Sequence, residues 1–247
     1  MNLDRVIAVR NSKTVYRNGE QTVKVFYSDF SKSDVLGEAL NQARIEETGL
    51  NIPKIMEVTM IDGKWAIVSE YIKGKTLAQL MSDSDETQKI TYMNLFVELQ
   101  LEIHKKSCPQ LNMLRDKMIR QIAVTDFNAI TRYDLHSHLE DMPRDNKVCH
   151  GDFNPSNVVI AEDGIPYILD WSHATQGNPA ADAAVTYLLF KLRQNDQDAD
   201  LYLNTYSEKS GISAECILKW LPLVAAAQSV HSTSEECEML QKWVSLR

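Results

Sequence analysis

The stretch that decides the fold runs from Val148 to His173 and reads VCHGDFNPSNVVIAEDGIPYILDWSH. Its polar positions with side chains suited to chemistry are His150, Asp152, Asn157 and Asp170. Pro155 restricts the backbone of Asn154 and has no amide hydrogen to donate, so the segment FNPS predicts a rigid turn. Such a turn would hold Asp152 in a constant position relative to Asn157.

The spacing of Asp152 and Asn157 has the form D-x-x-x-x-N, which is the end of a kinase catalytic loop. In that loop the Asp accepts the proton of the acceptor hydroxyl and the Asn holds a magnesium ion. The residues that follow alternate as in a hairpin, with Asp163-Gly164 at its turn, and the hairpin would return Asp170 beside Asn157. Magnesium commonly takes one or two protein oxygens and completes its shell with water and nucleotide phosphates, so this pair predicts a metal site.

Composition and charge restrict the class of protein. The chain has 247 residues, of which 44% are hydrophobic and 24% charged, as expected for a globular protein of two lobes. A formal net charge of -8 disfavours a nucleic-acid partner, because such binding needs clustered Lys and Arg. No window has the apolar length of a membrane helix, the N-terminus has no secretion signal, and the four cysteines form no C-x-x-C pair. We therefore expect a cytoplasmic protein with reduced thiols and no membrane partner.

Residues 4 to 27 are rich in β-formers and predict the start of a small antiparallel sheet. The Asn18-Gly19 pair lies between TVYR and EQTVKVF and predicts a hairpin whose two turn positions both have positive φ. Lys24 would lie on the second hairpin strand, on the same face as Phe26. Two further strands, IPKIMEV and KWAIVSEYI, flank an Asp62-Gly63 turn and complete a sheet of about five strands.

A helix is predicted from Ser31 to Thr48, with Gly49 at its C-terminal end. Candidate capping residues are Ser31 and Asp34, and the expected apolar stripe consists of Leu36, Leu40 and Ala43. Glu38 lies near the helix start, where a carboxylate suits the helix dipole, and it is also a candidate partner for Lys24. On spacing alone Lys24 is an ordinary strand lysine, and such lysines are usually solvated.

The β-rich pattern ends near Thr76, and the sequence that follows is helical in period apart from the hairpin already described. Gly74 is the candidate hinge. We therefore divide the chain into an N-terminal nucleotide-binding lobe of residues 1–73 and a C-terminal helical lobe of residues 74–247, which would carry the catalytic and acceptor-binding groups.

Several motifs in one order along the chain carry a resemblance to a known family: VKVF around Lys24, EALNQARIEETGLNIPK from Glu38, SEYIKGKTL at 69–77, HGDFNPSN at 150–157, LDW at 169–171 and NPAADAA at 178–184. With these motifs, most of the chain resembles the aminoglycoside phosphotransferase and choline kinase family, whose fold is similar to that of protein kinases. The resemblance implies an α+β, two-lobed fold. Its N-terminal lobe is a small antiparallel sheet with one helix, and its C-terminal lobe is mainly helical.

The same resemblance implies ATP- and Mg2+-dependent transfer of the γ-phosphate to the hydroxyl of a small molecule. Asp152 is implied to be the catalytic base, and His150 to hold the loop. Asn157 and Asp170 would be the metal ligands. Lys24 would bind the α- and β-phosphates, and Glu38 would orient it, with Glu46 and Glu47 as the alternatives to Glu38. Adenine would lie against the backbone of the hinge residues Glu70, Tyr71 and Ile72.

The sequence departs from the protein-kinase pattern in two places. No G-x-G-x-x-G loop occurs near the first hairpin, so RNSK at residues 10–13 would have to cover the phosphates. Trp171-Ser172 follows Asp170, and no activation segment ending in A-P-E is present, which argues against a regulated protein kinase. The alternatives are a kinase-like enzyme acting on a protein and a nucleotide-binding pseudokinase scaffold. The retention of Lys24, Asp152, Asn157 and Asp170 argues against the scaffold.

The acceptor stays open at the level of sequence, with aminoglycoside-, choline-, sugar- and amino-alcohol-like molecules all possible. An aromatic wall for a quaternary amine is one hypothesis, with members Tyr187, Trp220 and Trp243. An acidic cluster for an amino sugar is another, with members Glu235, Glu236 and Glu238. Asp182 is a candidate support for the catalytic loop or a first-turn residue that the helix dipole favours. The choice between ATP and GTP and the oligomeric state are also open.

Overall fold

The computed structural model describes residues 3, 5–10, 12–230 and 232–244, except for the side chain at position 234. The strands in this part of the chain are β1 Arg5–Val9, β2 Lys13–Asn18, β3 Gln21–Phe26, β4 Ile55–Ile61, β5 Lys64–Glu70, β6 Gly74–Thr76, β7 Lys147–Cys149, β8 Val158–Ala161, β9 Pro166–Ile168 and β10 Thr175–Gly177. The helices are α1 Lys32–Glu46, α2 Leu77–Ser82, α3 Glu86–His104, α4 Leu114–Ala123, α5 Ala129–Asp141, α6 Pro179–Leu192, α7 Asp196–Ser210, α8 Ala214–Leu218, α9 Leu221–Ser229 and α10 Ser234–Val244. Short 3-10 turns span Pro155–Asn157 and Trp171–His173.

Packing divides the chain into two compact units. Unit 1 comprises Met1–Ser82 and Pro155–His173, and unit 2 comprises Asp83–Asn154 and Ala174–Arg247. Unit 1 therefore contains a hairpin that follows the predicted catalytic loop in sequence, as well as the N-terminal sheet. The functional lobes predicted at residues 1–73 and 74–247 follow chain order instead, and they stay a prediction.

The first sheet of unit 1 has the strand order β1-β2-β3-β5-β4, and every neighbouring pair is antiparallel. One face packs on α1 through a buried cluster that contains Phe26, Val35 and Ile67. The other face carries a second cluster, formed by Val23, Val25, Ala66 and Val68. This five-stranded sheet with one helix, followed by a mainly helical remainder, confirms the predicted α+β fold class.

The first hairpin forms where it was predicted, but its turn is shifted by one residue. Asn18 pairs with Gln21 as the last strand position, so the two turn residues are Gly19 and Glu20. Gly19 has a φ of +59°, and Asn18 is not among the described residues with positive φ. The prediction that Asn18 and Gly19 both occupy left-handed turn positions is therefore wrong, because a turn with one such residue, filled by glycine, closes the same strands.

The apolar stripe predicted for α1 is also wrong. Leu36 and Leu40 are 42% and 50% exposed, whereas the buried positions of the helix are Val35, Glu38, Ala39, Gln42 and Ile45. These positions recur with helical spacing, so they form one continuous face. That face includes Glu38 because the carboxylate has ammonium partners on the sheet, and these partners offset the cost of burying it.

A second, smaller sheet in unit 1 has the order β6-β8-β9. Gly74, the candidate hinge, is the first residue of β6 and pairs with Ala161 of β8. A side chain at Gly74 would place its Cβ 2.1 Å from the carbonyl oxygen of Ile160, so only glycine allows these strands to approach so closely. The hairpin of β8 and β9 forms as predicted, with Gly164 at a φ of +84° in its turn.

One face of α3 is buried in the core of unit 2. Phe96 of α3 stacks on Phe153 with ring centroids 4.4 Å apart. Phe96 also makes edge-to-face contacts with Phe190 and Tyr202. Among the described residues, no single helix has the length and apolarity to cross a membrane. One pair, Asp196–Ser210 with Ala214–Ser229, meets the length and composition criteria together, but it is bent by 117°.

Candidate active site

Unit 1 contains a cluster of four charged side chains that come from four separate segments. Lys24 of β3 and Lys13 of β2 reach the same carboxylate, Glu38 of α1. The Lys24 Nζ lies 2.7 Å from Glu38 Oε1 and 3.4 Å from Asp170 Oδ1. The Lys13 Nζ lies 2.9 Å from Glu38 Oε1 and Oε2 and 3.5 Å from Asp170 Oδ1. We call these four residues the lysine–carboxylate cluster.

The cluster settles which glutamate meets Lys24. Glu38 makes the contact, whereas the Glu46 carboxylate accepts a hydrogen bond from the Ile55 backbone and Glu47 caps the end of α1. Lys13 is the functional candidate that the sequence analysis did not single out. A usable signal was its strand position, because Lys13 pairs with Phe26 and therefore lies two residues from the cross-strand partner of Lys24.

The opposite charges of the cluster stabilise the ionised forms of Lys24 and Asp170. Burial favours the neutral form of Lys24, but Asp170 and Glu38 more than offset this effect and raise its pKa above the ordinary value for lysine. Burial likewise opposes the charge of Asp170, yet Lys24 and Lys13 hold its pKa well below the usual range for a carboxyl group. At neutral pH the cluster thus contains an ionised carboxylate at Asp170 and an ammonium at Lys24.

Asp170 and Asn157 approach each other through the β8–β9 hairpin. The Leu169 backbone N–H donates to the Asn157 carbonyl at 2.8 Å, next to the last ladder pair of the hairpin. Asp170 itself has a φ of +59°, a left-handed conformation that Asp tolerates better than most residues. Asn41 of α1 donates to the Ser172 carbonyl at 3.2 Å, which fixes the turn that follows. The hairpin of unit 1 therefore brings the segments of both predicted metal-binding positions side by side.

The candidate hinge residues end β5 and continue from it. The Glu70 backbone N–H donates to the Lys54 carbonyl, and the Tyr71 N–H donates to the Glu20 carbonyl. The Arg17 guanidinium lies over the Tyr71 ring, 4.2 Å from its centroid. Two of the three hinge N–H groups are thus engaged within unit 1, and Ile72 follows them in the chain.

The residues of the predicted catalytic loop that lie in unit 2 are held by local hydrogen bonds. His150 is fully buried, and its Nδ1 accepts from the Asp152 backbone N–H at 3.2 Å. The Asn154 side chain donates to both the carbonyl and the carboxylate of Asp152, at 3.0 and 3.1 Å. Gly151 has a φ of +77°. The His150 contact is with the loop backbone, which agrees with the expectation that His150 holds the loop, and Asn154 contacts the Asp152 carboxylate.

Asp182 of α6 is hydrogen-bonded to the backbone of the same loop. One carboxylate oxygen accepts from the Gly151 N–H at 2.7 Å, and the other lies 3.0 Å from His104 Nε2 and 3.3 Å from the Gln100 amide nitrogen. The residue is 1% exposed, and burial opposes its charge, but the His104 hydrogen bond and charge lead the contacts that hold its pKa below the usual value. Because a carboxylate only accepts, His104 carries a hydrogen on Nε2. Asp182 thus supports the loop, one of the two roles foreseen for it.

Lys117 of α4 is a second residue that the sequence analysis missed. Burial lowers its pKa to about 8, and the carboxylates of Asp182 and Asp152 oppose this shift. Lys117 therefore lies within electrostatic range of the candidate base. An isolated lysine in an amphipathic helix has no sequence pattern that would reveal such a position.

The two acceptor-binding hypotheses find local explanations in unit 2. Trp220 is buried. The rings of Tyr187 and Trp243 make an edge-to-face contact. The Lys191 ammonium lies 5.7 Å from the centroid of the Tyr187 ring. Part of the aromatic set is therefore core, and a cation of the chain itself occupies the Tyr187 face. In the acidic set, Glu236 accepts from the backbone N–H of Thr233, which is a helix-start contact.

The fold is that of kinase-like phosphotransferases of known structure. Choline kinase LicA from Streptococcus pneumoniae matches with 19% identity and a TM-score of 0.68, over 99% of this chain and 92% of that one. Aminoglycoside-3'-phosphotransferase of type VIII matches with 16% identity and a TM-score of 0.67, over 92% of each chain. A thermostable mutant of aminoglycoside phosphotransferase APH(4)-Ia, in ternary complex with AMP-PNP and hygromycin B, matches with 14% identity and a TM-score of 0.67, over 98% of this chain and 94% of that one.

Sequence comparison identifies the family. Residues 13–215 match the model of the phosphotransferase enzyme family, APH, and the chain belongs to that family. It is therefore a phosphotransferase, as the sequence resemblance implies. Among curated proteins, none matches the sequence significantly.

Proposed function

We propose that this phosphotransferase is a kinase that moves the γ-phosphate of ATP to a hydroxyl of a small molecule, with Mg2+ bound to the nucleotide. The observation that carries the proposal is the lysine–carboxylate cluster, in which Lys24 meets Glu38 at 2.7 Å and Asp170 at 3.4 Å. Phosphoryl transfer depends chiefly on positioning and on neutralising the charge of the phosphates, and this cluster supplies a fixed ammonium and an ionised carboxylate for that purpose.

In the nucleotide-binding half of the proposal, Lys24 binds the α- and β-phosphates and Glu38 fixes its direction. Adenine is assigned to the backbone after β5. Because the N–H groups of Glu70 and Tyr71 already donate to Lys54 and Glu20, we assign adenine recognition to the Ile72 N–H and to neighbouring carbonyl groups.

The donor set at positions 157 and 170 suits magnesium. Asn157 offers an amide oxygen and Asp170 an ionised carboxylate, and both are hard oxygen ligands. Among the described residues, no group of three or more His, Cys, Asp or Glu side chains is placed to hold a metal ion. The proposed ion needs no such group, because magnesium in nucleotide sites takes few ligands from protein. When bound, it would neutralise charge on the phosphate oxygens.

In the transfer step we assign the general base to Asp152. Its carboxylate accepts the proton of the acceptor hydroxyl as the hydroxyl oxygen forms a bond to the γ-phosphorus. The bond between that phosphorus and the bridging oxygen of ADP breaks, which leaves ADP and a phosphomonoester. Asn154 holds the Asp152 carboxylate by donating a hydrogen bond to it, and His150 holds the Asp152 backbone by accepting from its N–H.

The proposed acceptor is a small molecule. Solved structures similar to this chain include a choline kinase and an aminoglycoside phosphotransferase in complex with hygromycin B, and choline and hygromycin B are small molecules. A protein acceptor and a nucleotide-binding scaffold without catalysis are the competing functions, and neither has a specific contact in its favour.

The experiment is a magnesium-dependent assay of ADP release with a panel of amino sugars, choline, amino alcohols, sugars and nucleosides. Turnover by the wild-type protein should rise with one class of acceptor. Asp152→Asn should lower kcat by about 100- to 10,000-fold, because the base is removed while the shape is kept. Asp62→Asn is the matched control and should leave kcat unchanged, because Asn is equally accepted at the exposed turn position with a φ of +49°.

Each outcome has a definite meaning. Turnover that follows this pattern supports the proposal. ATP binding without turnover for any acceptor would contradict it in favour of the scaffold, and phosphate found on added protein would favour a protein kinase. Full activity of Asp152→Asn would remove Asp152 from the chemistry.

A further inference from the structure

Lys13 is the unusual member of the lysine–carboxylate cluster. Its side chain is 8% exposed, and its ammonium contacts both oxygens of Glu38 at 2.9 Å and Asp170 at 3.5 Å. The same ammonium lies 5.4 Å from the centroid of the Phe26 ring. The site therefore contains a buried lysine, Lys13, and a largely buried one, Lys24, on neighbouring strands, where one would be enough to pair with Glu38.

Structural stability alone does not explain this second lysine. Removing an ammonium from water is costly, and apolar replacements of buried ion pairs are often neutral or stabilising. A methionine at position 13 would pack on Phe26 without that cost, and Glu38 would still pair with Lys24. A charge kept in such a position indicates a partner that binds there.

The charge balance of the cluster indicates what kind of partner. The two ammonium groups face two carboxylates, so the cluster is balanced as it stands. In the proposed function Asp170 ligates a metal ion, and its charge is then directed to that ion. Glu38 alone would face both lysines, which leaves one positive charge for an anion. The α- and β-phosphates of a nucleotide are anions of the required kind.

We propose that Lys13 is a second nucleotide-binding residue, which binds the phosphate chain together with Lys24. This inference rests on the proposed function. From the sequence, residues 10–13 would have to cover the phosphates, and we assign that contact to Lys13. Asn11, in the same segment, lies outside the described residues.

The test compares ligands that differ only in their phosphates. Dissociation constants for ATP, ADP and adenosine are measured by calorimetry, in magnesium, for the wild-type protein and Lys13→Met. The variant should bind ATP and ADP about 10- to 100-fold more weakly, the range expected for one charge-assisted hydrogen bond, and adenosine equally well. Lys13→Arg should recover part of the loss, because it keeps the charge.

Two controls separate a phosphate contact from a structural effect. Lys64→Met removes an exposed strand lysine from the same sheet and should bind all three ligands as the wild type does. Lys24→Met should keep residual, phosphate-dependent binding, because Lys13 remains, and the double variant should lose it. Thermal unfolding of each variant reports whether the unit is intact.

The results distinguish failure of the inference from failure of the proposed function. If the wild-type protein binds none of the three ligands, the proposed function fails. If it binds ATP and Lys13→Met binds ATP equally well, the inference is overturned and the function stands. Equal losses for adenosine and ATP in Lys13→Met would also overturn it, because they would show that Lys13 only maintains the fold.

Discussion

The two units bury carboxylates near the residues assigned to catalysis, but they compensate the charge in different ways. In unit 1, Glu38 and Asp170 are neutralised by the ammonium groups of two lysines. In unit 2, Asp182 is satisfied mainly by hydrogen bonds, from the Gly151 backbone, His104 and Gln100. The first arrangement consists of contacts between side chains only, whereas the second includes a hydrogen bond from the main chain of Gly151.

This difference suits the binding role proposed for the cluster in unit 1 and a supporting role for Asp182 in unit 2. A lysine that contacts a carboxylate can contact a phosphate instead, because both are oxygen anions. The lysine contacts of unit 1 therefore suit a ligand that binds reversibly. The network of Asp182 continues through Gln100 to Tyr202 and through His104 to Tyr206, all of them buried. If any one of these contacts broke, a buried polar group would lose its hydrogen-bond partner. This cost keeps the loop that carries Asp152 in one conformation.

The largest effect is expected from Asp182→Ala, which removes the acceptor at the centre of the network. Gly151, His104 and Gln100 would each lose a buried partner, and the free energy of unfolding should fall by about 3–5 kcal/mol. Urea denaturation followed by circular dichroism measures this change. Glu98→Gln is the control, because it breaks only an exposed pair with Lys209 and should cost less than about 0.5 kcal/mol. A loss of similar size in both variants would contradict the scaffold role.

An intermediate effect is expected from Glu38→Gln in unit 1. Both lysines would lose their shared carboxylate, and the free energy of unfolding should fall by about 2–4 kcal/mol. Adding Lys13→Met to this variant should restore part of the loss, because the second change removes one of the uncompensated ammonium groups. Glu47→Gln, an exposed change at the end of the same helix, should have little effect. Strictly additive losses in the double-mutant cycle would show that Lys13 and Glu38 are not coupled.

The smallest effect, and the only stabilising one, is expected from Lys117→Met in unit 2. The folded pKa of about 8 lies below the ordinary 10.5, so at pH 7 the folded state carries a charge that burial disfavours. The variant should be more stable at pH 7 by about 1–3 kcal/mol. As the pH rises from 8 toward 10.5, the folded wild type loses the proton before the unfolded chain does, so the advantage of the variant should shrink.

Urea denaturation at pH 7 and pH 10 provides the measurement for Lys117→Met. Lys105→Met is the control, since that side chain is 67% exposed and its removal should change stability by less than about 0.5 kcal/mol at either pH. A pH-independent difference between wild type and Lys117→Met would contradict the lowered pKa.

The sequence was most informative where the chemistry depends on local spacing. The alternating pattern and the Asp163-Gly164 turn predicted a hairpin that returns the chain beside Asn157, and the β8–β9 pairing with the Leu169 to Asn157 hydrogen bond of 2.8 Å confirms that hairpin. Lys24 could be placed on its strand and face by the hairpin, although the turn lies one residue later than expected. A small shift of this kind leaves the strand pairing and the facing side chains intact.

It was least informative where a side chain is buried by a partner distant in the chain. The face of α1 was assigned to Leu36 and Leu40 because hydrophobicity marks buried helix positions in most proteins, yet the buried face contains Glu38 and Gln42. Gln42 donates to the Pro53 carbonyl at 2.6 Å, and Glu38 meets its two lysines. No local pattern encodes such partners.

By itself, then, the sequence determined the fold class, the order of the elements and the residue types available for phosphoryl transfer, because these depend on local periodicity, turn chemistry and family motifs. Only the tertiary structure decided that Lys13 and Lys24 both contact Glu38. It also decided that Asp182 accepts a hydrogen bond from the Gly151 backbone, and that Lys117 lies within electrostatic range of Asp152. The physical reason is that the cost of burying a charge depends on which groups surround it in space. Those groups come from segments that are far apart in the chain.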